Sequence, residues 1–137
     1  MKIRCVANTG NFLPTYYLEP RGGYDTQKRF QITLGQDYTV YALALRDNQI
    51  WYYICDDIHT YYPVHHPAPL FDVIEKSISK YWIYNFTPNH LDHMGIFAFE
   101  EWALDPFFYD RLTDMKDREV EIFLRVKKLM DSECQLS

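Results

Sequence analysis

Side chains that can bind protons or metal crowd one short stretch of this chain: Asp56, Asp57, His59, His65 and His66. His90, Asp92 and His93 form a second group. Imidazole and carboxylate together could hold zinc or a harder cation. Paired histidines could also serve as base and acid near neutral pH, with Glu100 and Glu101 beside Trp102 as further carboxylates. The spacing matches no established ligand frame. The His90–His93 pair has i, i+3 spacing but sits in a segment bounded by Pro88 and Gly95. No metal and no cofactor is expected. Cys55 lies close to His59, but it closes an apolar strand-like run, where a free thiol behaves as a small hydrophobe. Cys5 has the same setting. GxGxxG, P-loop and GxSxG motifs are absent, and Gly22-Gly23 alone reads as a turn. No catalytic residue is assigned.

The same stretch reads more readily as a binding face. Asp56 and Asp57 precede Tyr61 and Tyr62 in a segment broken by Pro63, Pro67 and Pro69. Such loops normally lie on the surface. Tyrosine supplies contact area at low entropy cost, and carboxylates beside it steer a basic partner. Asp92 and His93 mark a second polar loop of the same kind. The expected partner-binding residues are therefore Asp56, Asp57, Tyr61, Tyr62, Asp92 and His93.

Charge supports that direction. The net charge is −5, from 14 basic and 19 acidic side chains. The excess is concentrated in residues 51–109, with eight acidic against two basic groups. An acidic surface repels phosphate backbones and anionic lipid heads, so neither nucleic acid nor membrane is expected as a partner. Aromatic residues make up 18% of the chain, and half of them are the 12 tyrosines. The three cysteines are too few and too far apart for a disulfide scaffold, which suits a reducing compartment. Met1-Lys2-Ile3-Arg4 runs straight into a strand-like segment. There is no apolar leader and no run of about 18 apolar residues. A cytoplasmic protein is expected.

The elements that must position these residues are mostly strands. Ile3 to Val6 is short and β-prone. Residues 9–29 hold three glycines and two prolines and read as a long irregular loop. Phe30 to Leu34 alternates and predicts a strand. Tyr38 to Leu45 predicts another, joined through the Asp47-Asn48 turn to Ile50–Cys55. Apolar residues on both faces suggest the middle of a closed or covered sheet. Asp56 to Pro69 reads as loop, Leu70–Glu75 and Tyr81–Phe86 as strands, and Thr87–Gly95 as a polar loop. Ile96–Phe99 fits a last strand or a helix start.

Beyond residue 104 the period changes. Asp105-Pro106 opens a short helix over Phe107–Leu112. Thr113 or Asp114 caps a second, running to about Asp131. Its apolar face is Ile122, Phe123, Val126, Leu129 and Met130, with Glu121 and Arg125 paired on the other side. The expected fold is one α+β domain over residues 1–137. Residues 1–104 are mainly β, as a small curved antiparallel sheet or SH3-like barrel, and residues 105–137 supply two C-terminal helices.

Several stretches carry a family resemblance: residues 4–10 (Arg4-Cys5-Val6-Ala7-Asn8-Thr9-Gly10), Gly35 through Tyr41, Trp51 through Asp56, Pro69 through Val73, and Tyr81-Trp82. They resemble small bacterial proteins, some of which look like immunity proteins of polymorphic toxin systems. The resemblance covers about the first 85 residues and, more loosely, the helix around Phe123-Leu124. It carries no catalytic residues. It implies neutralising binding to a cognate toxin, which agrees with the acidic charge, since toxin domains that act on nucleic acid are often basic. The expected function is a non-enzymatic protein-binding module with a basic protein partner. The alternative is a small hydrolytic or metal-dependent enzyme using the loop His and Asp residues.

Overall fold

The computed structural model describes residues 1–46, 48–86 and 95–133. Two antiparallel sheets and a set of C-terminal helices make an α+β fold. The smaller sheet has β1 (Lys2–Cys5) at its centre, between β2 (Asp37–Thr39) and β6 (Phe71–Glu75). The larger sheet runs in the order β5 (Val64–Pro67), β4 (Gln49–Ile54), β3 (Ala42–Arg46), β8 (Gly95–Phe99), β7 (Trp82–Asn85). β3 holds the middle place, as its apolar residues on both faces require. Neither sheet closes on itself, so the expected SH3-like barrel is not formed.

The reason lies between Thr39 and Ala42. The sequence predicts one strand from Tyr38 to Leu45. Instead the chain changes sheets there. The Val40 amide donates to Met1 O in the small sheet (3.1 Å), and the next amide, of Tyr41, donates to Tyr53 O in the large one (2.8 Å). Val40 is wholly buried at this corner. One continuous alternating run thus feeds two layers.

The small sheet packs on one face of the large one, through Ile3, Tyr38, Tyr52, Ile54 and Phe71. The helices cover the opposite face, with Ala42, Ile96, Ala98 and the ring of Tyr53 against Trp102 and Tyr109. They are α1 (Glu100–Ala103), α2 (Phe108–Thr113) and α3 (Asp117–Glu133). Residues 96–99 are thus strand, and a short helix follows at once. Asp105 accepts the Phe107 amide (3.0 Å) and pairs with Arg111, but it does not cap the helix as expected: α2 starts one residue later, at Phe108, with Phe107 at its N-cap and no side-chain cap bond. The long helix begins at Asp117, later than expected, because Met115 takes a positive φ of 60° between α2 and α3. Phe123, Val126 and Met130 face the core, Ile122 is half-buried and Leu129 is exposed. Arg125 pairs with Glu101 of α1 (2.9 Å), not with Glu121 of its own helix. Among the described residues no helix is long and apolar enough to cross a membrane.

Two further expectations are corrected. Phe30–Leu34 is not a strand. Phe30 and Ile32 are buried in alternation, but the backbone bonds scatter. The Phe30 amide donates to Asn8 O, the Thr33 amide donates to the Tyr38 hydroxyl, and Gln31 O accepts from the Asp57 amide. Alternation reports burial, which a loop lying on a core can also satisfy. Conversely, Val64–Pro67 is a strand inside the segment read as loop. It is an edge strand, the position in a sheet that tolerates proline.

Candidate functional site

β4 ends at Ile54, and the chain turns through Cys55 and Asp56 before returning as β5. Asp56 is the pin of that turn. It is only 6% exposed. Its Oδ1 accepts the backbone amides of Ile58 (3.1 Å) and His59 (2.9 Å), an Asx turn. The same oxygen contacts His59 Nδ1, and Oδ2 contacts His66 Nε2, both at 2.9 Å. Burial opposes the charge of this carboxylate. The hydrogen bonds from His66, His59 and Ile58 outweigh it and hold its carboxyl well below the usual carboxylate range. Because Asp56 accepts, the proton sits on Nδ1 of His59 and on Nε2 of His66 in the neutral rings. His66 is buried against Phe30 and Phe71, and its Nδ1 has no partner. His59 is partly exposed, and its ring lies tilted on that of Tyr62, 5.5 Å between centroids.

Asp57 behaves differently. It is exposed, yet both its oxygens accept hydroxyls, Oδ1 from Tyr38 and Oδ2 from Thr33, each at 2.7 Å. Its amide donates to Gln31 O (3.0 Å). These contacts lock the 56–62 turn to the 31–34 loop. Three apolar side chains stand out on the two loops: Leu34, Ile58 and Tyr61, exposed by 59%, 61% and 58%. Tyr62 is half-buried and packs toward the helices. Of the residues expected to form a binding face, Tyr61 and Asp57 are therefore on the surface. Asp56 is not the free steering carboxylate the sequence suggested but a buried anchor. Asp92 and His93 lie outside the described residues. Leu34 and Ile58 were missed, because a lone apolar residue in a loop carries no periodic signal.

The chemistry this arrangement allows is limited. Asp56 and His59 have the geometry of the orienting half of an acid–base pair. The nearest thiol, Cys55, is pushed up to about 12, chiefly by burial, so it is not a nucleophile at neutral pH. His65 is not part of the cluster. It packs edge-on against Trp51 and Tyr53, and burial, with Arg46 and His66 nearby, lowers it to about 4. Among the described residues no three His, Cys, Asp or Glu side chains are placed to hold a metal ion. A cleft of about 500 Å³ lies elsewhere, between Ile78–Tyr81 and the C-terminal end of α3 around Leu129 and Glu133. It contains none of the residues around Asp56. No protein family matches the chain, no curated protein matches it, and no solved structure matches it.

Proposed function

We propose that this chain is a non-enzymatic, cytoplasmic protein-binding module. It neutralises a basic toxin domain in the manner of an immunity protein. The observation that carries the reading is the pairing of exposure with rigidity at the 56–62 turn. Ile58 and Tyr61 project outward from a backbone held beneath by Asp56 and sideways by Asp57. A surface already ordered loses little entropy on binding, so its contact area translates into affinity. The net charge of −5 favours a basic protein over nucleic acid or a membrane surface.

The test is co-expression with the basic toxin domain encoded directly upstream of this chain's gene. Wild type should protect the cell. The double variant Ile58→Ser with Tyr61→Ala should fold and lose protection. No such neighbouring domain, or no protection by wild type, removes the reading. Protection unchanged in the double variant moves the interface away from this turn. A second reading, acid–base hydrolysis by Asp56 and His59, is favoured only by their 2.9 Å contact. It predicts an esterase or phosphodiesterase activity that His59→Ala abolishes.

A further inference from the structure

His59 offers a directed hydrogen-bond acceptor. Asp56 is buried and ionised, and it commits the imidazole proton to Nδ1. The lone pair of the neutral ring is then on Nε2, at the opposite edge. Nε2 bonds to no described residue, and it is not among the buried polar atoms that lack a partner, so it opens to solvent. The ring cannot turn to another use. Its Nδ1 edge is held at 2.9 Å by a carboxylate that also ties down its own backbone amide, and its face rests on Tyr62. Asp57 and Asp56 lie two and three residues before it, and among the described residues neither makes an ion pair with a lysine or arginine. An open acceptor, the exposed ring of Tyr61 and the exposed carboxylate of Asp57 on one turn suit a flat cation that donates through several N–H groups.

From the geometry we infer that His59 Nε2 receives a guanidinium group, an arginine side chain of the protein partner, which stacks on the exposed ring face of Tyr61. A guanidinium suits the place better than an ammonium. It is planar, less strongly hydrated, and able to stack on a ring while donating to an acceptor beside it. The inference rests on the binding reading above and names the partner's contact chemistry at that surface.

The experiment titrates the full chain with N-acetyl-arginine amide and follows the His59 and Tyr61 ring signals by NMR. Saturating shifts at both rings are expected. N-acetyl-citrulline amide, of the same shape without the charge, should bind more weakly. The His59→Phe variant should lose about tenfold or more in affinity, the worth of one charge-assisted hydrogen bond. Absent shifts, or equal shifts with citrulline, overturn the inference. The nitrogen shifts of wild-type His59 give a readout that needs no variant. A protonated Nε2 with a bare Nδ1 at neutral pH would also overturn it. Co-expression separates the two proposals. If protection needs Ile58 and Tyr61 but survives His59→Phe, the binding face stands and the guanidinium contact falls. If arginine amide binds as described and wild type protects against no neighbouring toxin domain, the site stands and the toxin reading falls.

Discussion

Replacing Asp56 by Asn keeps the shape of the side chain and removes its charge. The carboxylate accepts four N–H groups, two on the backbone and two on imidazoles. An Asn carbonyl can still accept the Ile58 and His59 amides, but as a neutral acceptor, at a loss of roughly 1 kcal/mol for the charge assistance. Its NH2 group then faces His66 Nε2, and two donors meet. His66 can relieve the clash only by moving its proton to Nδ1. That atom is buried between Phe30 and Phe71 with no partner, and a buried unsatisfied donor costs about 1–3 kcal/mol. Turning the amide over moves the conflict to the two backbone amides and His59. The expected loss is about 2–4 kcal/mol, a large part of the roughly 5–15 kcal/mol available to a domain. Urea unfolding at pH 7, followed by tryptophan fluorescence, measures it. Asp57→Asn is the control. Its partners are two hydroxyls, which can rotate to accept from an amide, so its cost should stay under about 1 kcal/mol. The sign with pH is also set. The folded Asp56 carboxyl lies below its unfolded value, so its stabilisation is present above about pH 4 and lost as the pH falls further. The gap between wild type and Asp56→Asn should close in acid. A loss below about 1 kcal/mol at pH 7, or a gap that widens in acid, would refute the view of Asp56 as the anchor of the turn.

Phe123→Ala should cost roughly 3–5 kcal/mol in the same unfolding assay, because the ring is wholly buried and packs edge-on against Tyr41. A cost near zero would detach α3 from the core. His65 is held neutral, lowered to about 4, so stability should fall as the pH drops from about 6.5 toward 4, by up to about 3 kcal/mol. His65→Phe should remove that slope, and an identical slope in the variant would assign the acid sensitivity elsewhere. The two apolar clusters are large enough to hold the fold together unaided. The thermal midpoint should therefore be the same with and without EDTA, and a marked fall on chelation would point to a structural metal.

Local pattern alone carried the hairpin from Ala42 to Ile54 and the Phe123, Val126 and Met130 stripe of α3, though not Leu129, which is exposed. In both, every partner lies a few residues away or on a regular period, so the sequence itself carries the geometry. The α+β order, strands first and helices after, was legible for the same reason, although the helices begin at Glu100 and not beyond residue 104. What sequence could not decide was which layer an alternating run belongs to. Tyr38–Leu45 divides between two sheets because Met1 and Tyr53 present carbonyls on opposite sides of Val40 and Tyr41. Phe30–Leu34 has the alternation of a strand and no ladder. Asp56 is the sharpest instance. Its neighbours in sequence, three prolines and two tyrosines beyond it, mark an exposed loop, and the stretch from Asp57 to Tyr61 is largely exposed. Asp56 turns inward, as Pro63 and Pro67 do, and its charge is met there because His66, ten residues away on β5, is paired opposite Tyr52 and faces it across the turn. A charged side chain's burial depends on whether distant groups supply its hydrogen bonds, and that is settled only when the strands pair.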